Sequence, residues 1–177
     1  MDNNFNNMPH TDNIDVKTLE DILKEKGVFL WTTRGKSMRP LLKTNRDIVE
    51  IRRPDTVYED GILKVGDVAL YTIPIPRFRG QYVLHRVRRV CDGYYIICGD
   101  NNVSMEKVPF SWVIGVMTGL TRRGKNVDLN GAAYKIYVRH WGSRYRRRVV
   151  AKRIGYRIKR PLIGPYRAVR KLLKGKR

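Results

Sequence analysis

Between residues 28 and 120 the chain is cut into short β-prone runs by turn-forming pairs, and this punctuation limits its fold more than any other feature. The runs are VFLWTT (28–33), DIVEI (47–51), DVALYTI (67–73), QYVLHRVRRVC (81–91), GYYIIC (93–98) and WVIGVMTGL (112–120). Each is rich in β-branched and aromatic residues. Asn45-Arg46, Pro54-Asp55, Asp60-Gly61, Arg79-Gly80, Asp92-Gly93 and Arg123-Gly124 supply the turns. The pattern predicts a compact, mainly β domain from about 28 to 129.

The flanks read differently. Residues 1–13 are polar and Asn-rich, with too little apolar surface to offset ordering entropy. Asp15 is the expected N-cap of a short helix, with Thr18 and Glu20 in its first turns, Leu19, Ile22 and Leu23 as its apolar stripe and Gly27 as its stop. Beyond 130, GAAYKIYVRHW has helical spacing, with Ala133, Tyr137 and Trp141 at i, i+4 and i+8 beside Tyr134 and Val138. Pro165 opens a last predicted helix with Tyr166, Val169, Leu172 and Leu173 on one side and Arg167, Arg170, Lys171 and Lys174 on the other. The expected organisation is a disordered 1–13, a domain over 14–129 with its core at 28–120, and a basic, partly helical tail over 130–177.

Charge separates tail from body. The chain of 177 residues has a formal net charge of +21. From Arg139 to Arg177 stand sixteen Lys and Arg and no acid, whereas the body carries 21 basic and 16 acidic side chains. Two cysteines, Cys91 and Cys98, exclude a disulfide-built secreted scaffold and read as free thiols. The three histidines are scattered and no CxxC pair occurs, so neither a metal nor another cofactor is expected. The longest uncharged stretch, Val108 to Thr121, is short of the roughly 20 apolar residues of a spanning helix. With no signal-peptide pattern at the start, the expected location is cytoplasmic, with peripheral contact on the cytoplasmic face of the membrane.

Three motifs carry chemistry. Gly35-Lys36-Ser37-Met38-Arg39-Pro40 follows a predicted strand, where a serine hydroxyl can project and nearby backbone N–H groups can receive an oxyanion. Gly35, Lys36 and Met38 make up the expected substrate and oxyanion region, with Gly35 permitting close approach of a substrate backbone. His85 lies on a long strand, and Cys98-Gly99-Asp100-Asn101-Asn102 is followed by Glu106. A two-residue Asp92-Gly93 hairpin pairs Cys91 with Tyr94, Arg89 with Ile96, Val87 with Cys98 and, continued, His85 with Asp100. A carboxylate facing an imidazole fixes its tautomer and stabilises its protonated form. This register favours Asp100 as the orienting acid. A bulge near Gly99 would shift the register by one and turn Asp100 to the other face.

GKSMRP, DIVEI, KVGDVALY, YVLHRV, GDNN and WVIGVM, in this order, resemble the signal peptidase I and SOS-repressor superfamily of serine peptidases over about residues 28–120. Bacterial signal peptidases and the repressors use a lysine base at the position matched by His85. A histidine followed by Arg-Val is similar instead to the endoplasmic-reticulum-type and archaeal signal peptidases, which use Ser and His with acidic support. The resemblance then implies Ser37 as nucleophile, His85 as base and acids at Asp100 and Glu106, the second being Asp in that branch. It also implies a coiled β-sheet peptidase fold and an extended substrate with small residues before the cut, such as a precursor or leader peptide. Neither the membrane anchor of the signal peptidases nor the DNA-binding domain of the repressors is matched. Gly35 stands where many bacterial members place an oxyanion-hole hydroxyl.

The leading expectation is therefore a serine-type endopeptidase. Two non-enzymatic alternatives use the polybasic tail: nonspecific nucleic-acid binding on an inactive peptidase fold, and an adaptor on an anionic membrane surface through residues 139–177. The remaining charges read as structural. Lys36 is adjacent to Ser37 and points away from it, Lys64 is a solvated charge, Asp67 holds a turn, and Arg86, Arg88 and Arg89 form a solvated strand face.

Overall fold

The computed structural model describes residues 18–75 and 81–143, together with 145, 147, 149–151 and 154. A short helix, α1 (Leu19–Lys26), leads into the strands β1 (Val28–Thr32), β2 (Asp47–Arg52), β3 (Val68–Thr72), β4 (Tyr82–Cys91), β5 (Tyr94–Cys98), β6 (Glu106–Pro109), β7 (Val113–Arg122) and β8 (Lys125–Asn126), then the helix α2 (Ala132–Ser143). Among the described residues the eight strands form one antiparallel sheet in the order β1-β2-β7-β3-β4-β5-β6, with β8 folded back on β7. The protein is thus mainly β.

Thr18 caps α1: its hydroxyl accepts the Asp21 N–H at 3.2 Å, while the Asp21 carboxylate accepts the Thr18 N–H at 3.0 Å. This reciprocal pair satisfies two orphan donors of the first turn. Gly27 ends the helix at φ 68°, a conformation that costs a residue without Cβ little. Asp15, the expected cap, lies outside the described residues, as do residues 1–13 and the predicted helix at 165–174.

β3 lies inside the sheet and is buried on both faces. Val68 and Leu70 point into one core with Leu23, Met38, Val49, Ile51 and Leu84, while Ala69 and Tyr71 point into the other with Val87, Tyr95, Ile97 and Val108. Fully burying each such aliphatic side chain contributes about 1.5–3 kcal/mol. These contacts fix β3 and β4 rigidly, and β4 carries His85.

Two strands went unread in the sequence. β6 is four residues long, begins with two charges and ends at a proline, yet Val108 seals the second core opposite Tyr95. β8 forms because Arg123 and Gly124, at φ 51° and 75°, close a tight hairpin with β7. Among the described residues no helix is long and apolar enough to cross a membrane.

Candidate active site

The loop after β1 carries Ser37. Gly35 sits at φ 100°, where an L side chain would be strained, and its carbonyl accepts the Thr44 hydroxyl. Met38, Leu41 and Leu42 anchor the turn in the first core. Met38 is therefore committed to packing, which leaves its backbone as what it can offer a substrate. Lys36 is exposed and Ser37 is partly buried above this anchor.

His85 is 5 % exposed and lies across from Ala69 on β3. Its Nδ1 is 3.4 Å from Glu106 Oε1 and 3.3 Å from the Tyr71 hydroxyl oxygen. Tyr71 gives its proton to the other oxygen of the Glu106 carboxylate. Both groups facing Nδ1 are then acceptors, because a carboxylate has no proton to give and Tyr71 has already given its own. The proton belongs on Nδ1, and Nε2 is left to accept. The hydrogen bond from His85 holds the Glu106 carboxyl below the usual glutamate range; burial opposes this shift and Tyr71 assists it. Burial, reinforced by Glu106, pushes the Tyr71 phenol up, so it remains a neutral donor.

Nε2 and the backbone carbonyl of Ser37 both approach Gly99. A β-carbon on Gly99 would lie 2.8 Å from the Ser37 carbonyl oxygen, 2.9 Å from His85 Nε2 and 3.0 Å from Asn102 Nδ2. Only the missing side chain lets these three groups converge. Asn101 ties the loops together: its N–H donates to the Ser37 carbonyl at 2.6 Å and its side-chain amide to the Lys36 carbonyl at 3.0 Å.

Asp100 does not face His85. The hairpin starts in the expected register, with Cys91 opposite Tyr94 and Arg89 opposite Ile96, but Val87 then pairs with Ile97 and Arg86 with Cys98. Arg88 is an extra residue in β4, a bulge that shifts everything beyond it by one. The expected pairing of His85 with Asp100 is therefore corrected: the bulge brings Arg86 to the Asp100 side. Arg86 Nε and Nη2 contact the Asp100 carboxylate at 2.8 and 2.7 Å. Tyr137 adds a third donor at 2.8 Å. Arg86, expected on a solvated face, is instead wholly buried, and burial's penalty on its charge is more than offset by Asp100. Arg88 lies over the Tyr145 ring, and Arg89 is exposed.

Asp67 holds its turn as expected, accepting the Lys64 N–H and the Tyr58 hydroxyl, each at 2.7 Å. Cys91 and Cys98 are free thiols. Ser37, His85, Glu106 and Gly99 thus gather at one place, with Asp100 behind them in a separate buried ion pair. Tyr71, Arg86, Asn101, Tyr137 and Trp141 were not anticipated as parts of this assembly. The Gly-Asp-Asn-Asn run was the one signal for Asn101. A cavity of about 500 Å³ beside Pro40, Leu41, Tyr134 and Tyr137 has neither Ser37 nor His85 in its lining. Comparison with protein-family models, curated protein sequences and solved structures finds no significant match to this chain.

Proposed function

We propose that the chain is a serine endopeptidase that works by a Ser37/His85 mechanism with Glu106 as the orienting acid. The observation that carries this reading is the arrangement of His85, with two acceptors at Nδ1 and with Nε2 and the Ser37 turn both brought up against Gly99. In this mechanism the Ser37 hydroxyl attacks a peptide carbonyl and His85 Nε2 takes its proton. The imidazolium is stabilised by Glu106 and returns the proton to the leaving amine. Water then enters by the same route and releases the acyl group from Ser37.

The resemblance of the sequence boxes to the Ser-His branch of signal peptidases supports an extended precursor or leader peptide as substrate. Work at the cytoplasmic face of a membrane is part of the same proposal, motivated by the acid-free run after Arg139.

The test is cleavage profiling of an extended-peptide library by mass spectrometry. The wild type is expected to cut, and Ser37→Ala and His85→Ala are each expected to be inactive while remaining folded. The double variant should be scarcely worse than either single one, since the pair acts as a unit. An uncut library with the wild type, or undiminished cutting by Ser37→Ala, overturns the reading.

A further inference from the structure

The side of α2 that meets the body is aromatic, and its contacts converge on one residue. The Tyr137 hydroxyl donates to the Asp100 carboxylate at 2.8 Å, and the Trp141 indole N–H donates to the Asp100 carbonyl at 2.5 Å. Tyr134 accepts from Arg86, the ion-pair partner of Asp100, at 3.2 Å. The rings of Tyr134 and Tyr137 stand 5.9 and 5.7 Å from the same guanidinium. Asp100 is held at both ends, side chain and backbone.

Neutralising a buried carboxylate needs only Arg86. Fixing the carbonyl does something else. The C=O of Asp100 and the N–H of Asn101 belong to one planar peptide unit, stiff about its C–N bond. Trp141 grips that plate at its oxygen, and the Ser37 carbonyl accepts from its N–H at 2.6 Å. Helix and nucleophile turn therefore hold opposite ends of a single rigid group. The side chain of Asn101 adds a second strut to Lys36, and Gly99, one residue before Asp100, touches the space between Ser37 and His85 Nε2.

We propose that α2 is a positioning element of the Ser37/His85 site, with Trp141 and Tyr137 as its positioning residues. They set the Asp100–Asn101 peptide plane, and this plane sets where the Ser37 turn stands relative to His85 Nε2. The consequence for turnover rests on the peptidase reading; the mechanical link between α2 and Ser37 does not. Reactions of this kind are sensitive to misplacement of about 1 Å, which can cost around a hundredfold in rate.

The experiment uses the full chain with Trp141→Phe and Tyr137→Phe, and Ile136→Ala as the control. Phe at 141 keeps a ring to stack on Tyr137 but has no N–H, and Ile136 is 65 % exposed on the same helix. Two quantities are read: kcat and KM on a peptide that the wild type cuts and Ser37→Ala does not, and the exchange rate of the Asn101 amide hydrogen. Trp141→Phe is expected to lower kcat by about tenfold or more with KM within about twofold, and to speed exchange at Asn101. Tyr137→Phe should give a smaller loss of the same kind, and Ile136→Ala should change neither quantity. Unchanged exchange at Asn101 in folded Trp141→Phe, or unchanged kcat, overturns the proposal. If the wild type cuts nothing, the peptidase reading fails alone and exchange at Asn101 decides the link. If Trp141→Phe does not fold, Tyr137→Phe, which loses a single oxygen, decides on both readouts.

Discussion

Glu106→Gln preserves the size of the side chain beside His85 while removing the charge that stabilises an imidazolium. Turnover per folded molecule is expected to fall by around 10⁴, as it does when a serine triad loses its orienting carboxylate. Asp100→Asn should behave in the opposite way. It strips Arg86 of its buried counter-charge, at a cost of about 3–5 kcal/mol in stability, while an amide oxygen can still accept from Tyr137 and the backbone carbonyl from Trp141, so turnover per folded molecule falls far less than in Glu106→Gln. Thermal unfolding alongside turnover separates the two, and Glu106→Gln within tenfold of wild type would remove Glu106 from the mechanism. Because the folded pKa of Glu106 is lowered, its ionised form adds stability above the usual glutamate range, and that contribution is lost as pH falls through the lowered value. The acid unfolding curve of Glu106→Gln should lack this component, and a curve matching the wild type's would count against the His85–Glu106 pair. Ser37 and His85 were legible because a polar group in a turn and a lone histidine in a strand stand out from their surroundings, whereas Glu106, the first residue of β6, was indicated only by its six-residue offset from Asp100 in the resemblance. Tyr71 was not, since a tyrosine in DVALYTI reads as core, and it is core: only its hydroxyl leaves the apolar layer to reach Glu106. Arg86 was misread because three arginines in four residues suggest a wet face, and nothing local says which one is buried.

At the level of strands and loops, turn chemistry made most of the sheet readable, while register was readable only as far as the first bulge. The Asp92-Gly93 hairpin aligns Cys91 through Arg89 as its turn dictates. One extra residue, Arg88, then decides which acid meets which base, and no residue preference announces a bulge at an arginine. Pairings distant in sequence were equally silent, such as β2 and β3 on either side of β7. The tightest crossing in the site is at Gly99, where the Ser37 turn, the His85 ring and the Asn102 amide share space. Gly99→Ala is expected to leave the sheet folded but to push the Ser37 turn from His85, lowering turnover about a hundredfold with a modest change in melting temperature. Wild-type turnover in Gly99→Ala would show that the approach is not needed for chemistry. Thr18→Ala tests a different joint: loss of the α1 cap should cost about 1 kcal/mol by denaturant titration without altering turnover.

Over the whole molecule, charge and structure divide the chain at different points. No acid follows Asp128 and the basic side chains crowd from Arg139 onward, yet Trp141 and Tyr145 in that basic stretch bind the Asp100 and Val103 carbonyls of the body. A truncation at Arg139 would therefore remove part of the site's scaffold together with the charge. The residues after Ile154 lie beyond this junction and beyond the described residues; their sequence still carries nine Lys and Arg and the apolar set Tyr166, Val169, Leu172 and Leu173. Near an anionic leaflet each such cation contributes about 1 kcal/mol, so a few engaged side chains with shallow insertion of the leucines suffice for reversible binding. The attraction acts over a Debye length of about 8 Å at physiological ionic strength, so it should weaken as salt is added. The full chain is expected to co-sediment with vesicles containing anionic lipid and to stay in solution with zwitterionic ones. A chain ending at Ile154 should stay in solution with both while keeping the turnover of the full chain on a soluble peptide. Equal pelleting of the two chains would place the membrane contact on the body, and no pelleting of the full chain, with duplex nucleic acid captured instead, would make the tail a nucleic-acid binder.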